Sequence, residues 1–144
     1  MERKEFVTLL GLGAGAVVVH ACLGACGKGG ATPAPVPGPN GKVDFTITNI
    51  ASNSDIQGKG YMVQNSIVIA TTANGYFAVS GVCTHLGAPI SFTGTVFYCN
   101  PATGGHGSQF NTDGSVKVGP ANTPLKSYST QLLNGGADLR VYEV

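Results

Sequence analysis

The sequence predicts an all-β fold, an antiparallel sandwich or barrel that occupies residues 42–144. Short runs rich in Val, Ile, Thr, Tyr and Phe alternate with turns that contain Gly, Asn or Asp, and this arrangement is typical of many short strands. After residue 42 the sequence shows no sustained helical period. A domain of this length can form one hydrophobic core.

Three turn signals divide the predicted strands into hairpins. Ala73-Asn74-Gly75 stands between the runs 66–71 and 76–79, and Asn-Gly between two such runs is a strong hairpin signal. Asp113-Gly114 and Asn134-Gly135-Gly136 mark two further hairpins. The remaining predicted strands are residues 43–48, 95–98, 110–111, 116–118, 125–133 and 137–144.

The charge of the chain argues against a nucleic-acid partner. The formal net charge is +1, and only 10% of the residues are charged. Nucleic-acid-binding domains concentrate Lys and Arg on one face, and this sequence has no such basic stripe. We therefore expect no nucleic-acid partner.

The first 26 residues have the features of an export leader. A short charged start is followed by the apolar run 7–19, which is typical of a signal peptide. Leu23-Gly24-Ala25-Cys26 resembles the lipobox of bacterial lipoproteins, so Cys26 is the predicted site of lipidation. Arg3-Lys4-x-Phe6 resembles a relaxed twin-arginine signal, which exports proteins that are already folded.

The alternative for this segment is an uncleaved membrane helix over residues 7–25, because a bilayer span needs ~20 apolar residues. Residues 27–41 are rich in Gly and Pro and read as a linker. In either case we expect an exported domain, on the periplasmic or extracytoplasmic face, that is anchored to a membrane. The predicted organisation is thus a leader (1–26), a linker (27–41) and one domain (42–144).

Past position 26 the sequence contains two cysteines and two histidines, and all four fall in one window. The order is Cys83-x-His85 and then Cys99-x6-His106. Each histidine lies close to a glycine, and each pair falls beside a predicted strand, where a β scaffold places functional loops. Thiolate sulfur and imidazole nitrogen suit either zinc or an iron–sulfur cluster.

The residues around these four positions resemble one family. Cys83-Thr84-His85-Leu86-Gly87 resembles the first cluster-binding loop of Rieske [2Fe–2S] proteins, and His106-Gly107-Ser108-Gln109-Phe110 resembles the second half of their other loop. The stretch 119–128 resembles the sequence that follows in the family. The resemblance implies a Rieske-type antiparallel sandwich or barrel with two cluster-binding loops.

The resemblance also implies a site and a function. Cys83 and Cys99 would bind one iron of a [2Fe–2S] cluster, and His85 and His106 would bind the other. Ser108 would donate a hydrogen bond to a cluster sulfur. The function would be single-electron transfer with a redox partner protein, such as a cytochrome, a quinol-oxidising complex or another oxidoreductase. We expect a carrier or an oxidoreductase subunit rather than a complete enzyme.

The sequence departs from the family in three places. The usual second loop is Cys-x-x-His, and Thr103 holds the position where that cysteine is expected. Either 100–105 is an enlarged loop that returns Cys99 to the site, or Cys99 is not a ligand and the cluster is lost. Ala88 takes the place of a cysteine that forms a loop disulfide in quinol-oxidising members. Phe110 replaces a Tyr, which predicts a potential in the middle of the Rieske range of roughly −150 to +300 mV.

Other interpretations of the same residues remain open from sequence. Cys83 and Cys99 could form a disulfide in an oxidising compartment. The four residues could bind structural zinc, although Cys-x-His is an unusual zinc spacing. A Cys–His nucleophile pair lacks a recognisable third member. A cluster-free domain of the same fold could serve as a binding or structural module.

Overall fold

The computed structural model describes residues 41–144. The predicted leader, the lipidation site Cys26 and the linker up to residue 40 lie outside the described residues. No helix within residues 41–144 is long and apolar enough to cross a membrane.

The described part of the chain forms ten strands in two antiparallel sheets. The strands are β1 (Asp44–Ile47), β2 (Tyr61–Gln64), β3 (Ile67–Thr72), β4 (Gly75–Ser80), β5 (Ser91–Phe92), β6 (Phe97–Tyr98), β7 (Gln109–Phe110), β8 (Val116–Val118), β9 (Ser127–Leu133) and β10 (Asp138–Tyr142). The larger sheet has the order β1-β10-β9-β4-β3-β2, and the smaller has the order β5-β6-β7-β8. The all-β prediction is confirmed.

The three predicted hairpins are present. Thr72 pairs with Gly75 across the β3–β4 turn, and Leu133 pairs with Asp138 across the β9–β10 turn. The β7–β8 hairpin contains a register shift between Gln109 and Phe110. These turns were predictable because Gly and Asn adopt the backbone conformations that tight turns require.

The hydrophobic core consists of two clusters, and strand β3 contributes to both. Val68 and Ala70 belong to the first cluster, while Ile67 and Ile69 belong to the second. Because successive side chains of a strand point to opposite faces, β3 is buried on both sides, which explains its unbroken apolar sequence. The first cluster also contains residues from the smaller sheet and the loops beside it, namely Cys83, Ala88, Ile90, Phe92, Phe97, Cys99, Phe110, Ala121 and Leu125.

Besides the 3-10 helices at Ile50–Ser52, Pro101–Thr103 and Asn134–Gly136, three elements were not predicted from the sequence. One is a short α-helix, α1 (Ser54–Lys59), which begins where Asn53 Oδ1 accepts the N–H groups of Asp55 and Ile56 at 3.0 and 3.2 Å. The helix is too short to show a sustained period. The other two are β2 and β5, whose sequences were not recognised as strands.

Candidate metal centre

Two loops beside the smaller sheet carry the four predicted ligands. Loop 1 (residues 83–88) contains Cys83 and His85. The N–H of Cys83 donates to the carbonyl of Ala88 at 2.8 Å, and the N–H of Gly87 donates back to the carbonyl of Cys83 at 2.9 Å. Gly87 has φ 75°, a conformation that residues with a Cβ rarely adopt. The loop is thus closed at its base by two backbone hydrogen bonds.

Loop 2 (residues 99–108) is closed by the same pattern. The N–H of Cys99 donates to the carbonyl of Ser108, and the N–H of Gly107 donates to the carbonyl of Cys99, both at 2.9 Å. Gly107 has φ 83°. The pairing continues the β6–β7 ladder, in which Tyr98 faces Gln109. Cys99 therefore lies at the end of β6, close to His106 at the approach to β7.

The enlargement of loop 2 is a compact turn. Residues Pro101–Thr103 form a 3-10 helix, and Asn100 begins it by accepting the N–H of Ala102 on its side-chain oxygen at 2.9 Å. The carbonyl of Asn100 also accepts the N–H groups of Thr103 at 3.0 Å and Gly105 at 2.9 Å. Residues 100–105 therefore fold back on themselves and bring the chain to His106 next to Cys99.

Gly105 is the point where this turn closes most tightly. A Cβ built there would lie 2.6 Å from the carbonyl carbon and oxygen of Cys99 and 2.7 Å from the oxygen of Asn100. No side chain fits at such distances. The adjacent Gly104 ends the 3-10 helix with φ 84° and has open space around its Cα.

The surroundings of Thr103 and Cys99 help to decide whether the enlarged loop returns Cys99 to the site. Thr103, which holds the family's usual cysteine position, is exposed, and its hydroxyl donates to the carbonyl of Asn100 at 3.1 Å. Cys99 is 0% exposed and packs in the first core cluster with Cys83. The enlarged loop thus places Cys99, and not Thr103, beside the other candidate ligands.

The two thiols are buried and close to each other. Cys83 is 2% exposed, and both cysteines are free rather than joined in a disulfide. Burial raises the pKa of the Cys99 thiol, and its hydrogen bond with the Cys83 thiol raises that pKa further. The backbone N–H of His106 donates to the Cys99 sulfur and opposes both effects. The sulfur atoms therefore share a dry site that already contains one backbone donor.

The two imidazoles form the second pair. The rings of His85 and His106 meet edge to face, with centroids 4.9 Å apart and an angle of 75° between their planes. His106 is exposed and His85 is half-buried. The Nδ1 atom of His85 is itself buried and has no hydrogen-bond partner in the described part of the chain. A buried polar atom without a partner calls for an explanation, and an absent metal is one of the few available.

The four donors thus form a sulfur pair and a nitrogen pair. Within residues 41–144, no group of three or more His, Cys, Asp or Glu side chains is arranged to hold a metal ion. Two thiolates on one iron and two imidazoles on the other are the donor set of a Rieske cluster. The residue types present, and the buried His85 Nδ1 without a partner among the described residues, fit such a two-iron group.

Ser108 is fully buried at the end of loop 2. Its hydroxyl oxygen accepts the N–H of Ala121 at 2.9 Å, so the hydroxyl proton is left to donate elsewhere. Ala121 belongs to a segment that we call the proline loop (residues 119–124). The same segment contacts loop 1, because the Thr84 hydroxyl donates to the carbonyl of Thr123 at 2.6 Å. The proline loop is thus bonded to both ligand loops.

Three positions whose hydrogen bonds support the site were not identified from sequence. They are Asn100, Thr84 and Ala121. The sequence does contain a signal for Asn100, because Asn followed by Pro is a common start of a helical turn. The hydrogen bonds of Thr84 and Ala121 join residues that are far apart in the chain, so no local pattern announces them.

Comparison with known proteins identifies the class to which this fold and site belong. Residues 46–129, more than half of the chain, match the family model of the Rieske [2Fe-2S] domain. The chain therefore belongs to this family. Membership implies a [2Fe–2S] cluster as the cofactor and electron transfer of the Rieske type.

A solved structure shows the same fold. The chain is similar to the plasma membrane Rieske protein PetC3 of the cyanobacterium Synechocystis PCC 6803, with a TM-score of 0.52 and 23% sequence identity. The similarity covers 69% of this chain and 99% of that one. No match was found among curated protein sequences.

Proposed function

We propose that Cys83, Cys99, His85 and His106 hold the [2Fe–2S] cluster and that the domain is a one-electron carrier anchored to a membrane on the exported side. The observation that carries the ligand assignment is the buried Nδ1 of His85, which has no hydrogen-bond partner among residues 41–144. His85 lies in loop 1 with Cys83, and its ring contacts the ring of His106. A buried nitrogen left unsatisfied costs about 1–3 kcal/mol. Binding to iron removes that cost.

Each ligand pair has a distinct task in this proposal. The thiolates of Cys83 and Cys99 bind from the core side, where their burial keeps water from the cluster. The imidazoles of His85 and His106 lie on the outer side, and His106 is the most exposed of the four residues and thus the most accessible to a partner. When bound, the cluster supplies the uptake and release of one electron. Neutral imidazoles in place of two thiolates make that uptake more favourable.

Ser108 has a positioning role that its contacts support. Its oxygen is held by the N–H of Ala121, so its proton is free to donate to a cluster sulfur. Hydrogen bonds to cluster sulfurs favour the reduced state and raise the potential. Phe110, fully buried two residues further on, has no hydroxyl to add a second such bond. These two positions support a potential in the middle of the Rieske range.

A membrane anchor and a redox partner complete the proposed function. The anchor is supported by the lipobox-like sequence that ends at Cys26 and by the plasma membrane location stated for PetC3. The twin-arginine-like start agrees with a cluster that is inserted before export. The partner is a redox protein, either a cytochrome, a quinol-oxidising complex or another oxidoreductase.

The function is tested by purifying the full chain without oxygen and measuring iron and acid-labile sulfide. We expect about two of each per chain and, after dithionite reduction, an electron paramagnetic resonance signal with an average g below 2. A colourless protein without iron would contradict the proposal, and stoichiometric zinc would favour a structural zinc domain instead.

The anchor is tested separately by mass spectrometry of the N-terminal peptide of protein isolated from membranes. A lipid-modified peptide that begins at Cys26 is expected. An unmodified peptide that begins at Met1 would contradict lipidation without affecting the cluster assignment.

A further inference from the structure

Two short helical segments of the domain begin in the same way. Asn53 begins helix α1 with φ −65° and ψ 127°, and Asn100 begins the 3-10 turn Pro101–Thr103 with φ −73° and ψ 124°. Each asparagine accepts backbone N–H from its own segment on the side-chain oxygen. Each segment ends at a glycine in the left-handed conformation, Gly60 with φ 77° and Gly104 with φ 84°. The same capping residue therefore occurs once outside the candidate site and once inside it.

The two segments differ in what holds them in place. Helix α1 buries Ile56 in the second core cluster, whereas the turn Pro101–Thr103 has no buried side chain and receives no support from the core. The hydrogen bonds to Asn100 support it instead. Its side-chain oxygen accepts the N–H of Ala102, and its carbonyl accepts the hydroxyl of Thr103 and the N–H groups of Thr103 and Gly105. Pro101 has no N–H that would need a partner.

The turn is packed directly against Cys99. Gly105 lies so close to the Cys99 carbonyl that no Cβ fits between them. The next residue, His106, donates its backbone N–H to the Cys99 sulfur. A displacement of the turn would therefore be transmitted through Gly105 to the N–H donor of a candidate ligand sulfur.

No covalent bond fixes the position of this donor. Cys83 and Cys99 are both free, and Ala88 stands where quinol-oxidising members of the family have a cysteine that forms a loop disulfide. The position of the His106 N–H relative to the Cys99 sulfur thus depends on the hydrogen bonds and the packing of loop 2 itself. Asn100, half-buried at the start of the turn, is the residue on which several of these bonds end.

We propose that Asn100 is a positioning residue of the cluster site, because its cap on the turn keeps the N–H of His106 on the Cys99 sulfur and thereby raises the midpoint potential and slows the loss of iron. This inference rests on the proposed function. A hydrogen bond to a sulfur of the site favours the reduced state, so a loosened turn lowers the potential. A loosened turn also admits water to Cys99, which is 0% exposed when the turn is closed.

The experiment compares variants of the full chain that are purified without oxygen and with the cluster. The test series is Asn100→Ser, Asn100→Gly and Asn100→Ala, in which the preference of the new residue for the N-cap position falls in that order. The matched control is Asn53→Ala, which removes the cap of α1 outside the site. For each variant we measure the midpoint potential, the rate of iron release to a chelator without denaturant, and the free energy of unfolding in urea.

The potential and the retention of iron should follow the capping order. Asn100→Ser should resemble the unaltered protein and Asn100→Gly should be intermediate. Asn100→Ala should have the lowest potential and should release iron about fivefold faster, the factor that corresponds to the loss of a typical N-cap. Asn53→Ala should lose at least as much stability in urea, because Asn53 caps two N–H groups, but its potential and its iron release should be unchanged.

Three results would overturn the proposal. They are equal potentials and equal iron release throughout the Asn100 series, an Asn100→Ser protein that behaves like Asn100→Ala, and an Asn53→Ala protein whose potential falls as far as that of Asn100→Ala. Each of them is obtained with the cluster present, so the proposed function would stand. An unaltered protein without iron would instead refute the proposed function and this inference with it. If Asn100→Ala does not retain its cluster, Asn100→Gly provides the comparison with Asn100→Ser.

Discussion

Loop 1 and loop 2 differ in length but are closed by the same pair of backbone hydrogen bonds. In both, the cysteine donates its N–H to the residue after a glycine, and the glycine donates its N–H back to the cysteine. Loop 1 closes this ring with three residues between Cys83 and Gly87, whereas loop 2 uses seven between Cys99 and Gly107. The additional residues form the 3-10 turn at Pro101–Thr103.

The comparison shows that closure at the base of a loop, and not the number of residues in it, determines where the candidate ligands lie. In loop 2 the cysteine follows one strand and the histidine precedes the next strand of the same hairpin. The two residues are therefore neighbours, whatever the length of the segment between them, as long as that segment folds back to the second strand. The cost of a longer connection is small, because loop-closure entropy grows slowly with length. The Cys-x6-His spacing is therefore compatible with Cys99 and His106 lying close together.

The largest expected effect comes from breaking the closure of loop 2. Gly105→Ala would place a methyl group 2.6 Å from the Cys99 carbonyl, and the overpacking should cost about 3 kcal/mol of unfolding free energy. Urea unfolding and iron content measure the effect. Gly104→Asn is the matched control, because its site is open and Asn tolerates a positive φ. Equal stability and iron content in the two variants would refute the role of Gly105.

The second largest expected effect is that of replacing Ser108, which closes loop 2 as Ala88 closes loop 1. Ser108→Ala leaves the buried N–H of Ala121 without its acceptor, at a cost of about 2 kcal/mol. If the hydroxyl also donates to a sulfur, the midpoint potential should fall by about 40 mV. Redox titration checks this value. Ser115→Ala, on the β7–β8 turn, should leave the potential unchanged, and a Ser108→Ala potential equal to that of the unaltered protein would argue against sulfur donation.

A third prediction adds the donor that the strand after loop 2 lacks. Phe110→Tyr should raise the midpoint potential by about 40 mV if the new hydroxyl reaches a cluster sulfur. The control is Phe92→Tyr, another buried ring of the same core cluster. The interpretation of Phe110 is wrong if redox titration finds the same potential in both variants.

The smallest effect lies away from both loops. The ammonium of Lys126 lowers the pKa of the Glu143 carboxyl, and the N–H of Val43, at 2.7 Å, lowers it further. Since the folded pKa is below the unfolded one, this carboxylate stabilises the fold above the unfolded pKa, and the contribution is lost as the pH falls through the folded pKa. Glu143→Gln should lower the thermal midpoint slightly at pH 7, and the difference should shrink below about pH 4. A constant difference across the pH range, or a changed resonance signal, would be inconsistent with this account.

The strands and turns of the two sheets were easier to predict from the sequence than the geometry of the candidate site. Asn74-Gly75 and Asp113-Gly114 signal their turns locally, and the all-β class follows from such signals. Strand β2 was missed because its turn uses Asn65 and Ser66, non-glycine residues with φ 51° and 57°. Helix α1 had cap signals in Asn53 and Gly60 but only one buried side chain.

The candidate site was predictable as a set of residue types and not as a geometry. Cys83, His85 and His106 stood in recognisable contexts, whereas Cys99 did not. Its position depends on the hydrogen bonds that Asn100 and Gly105 make when the loop folds back. Such non-consecutive contacts follow from the three-dimensional closure of the chain, and a spacing pattern does not contain them.

The iron content of Cys99→Ala is the decisive measurement of whether Cys99 provides the second thiolate. We expect iron to fall from about two per chain to background, and we expect that adding Thr103→Cys does not restore it, because position 103 is exposed. A Cys99→Ala protein that keeps its full iron content and an unchanged resonance signal would show that Cys99 is not a ligand.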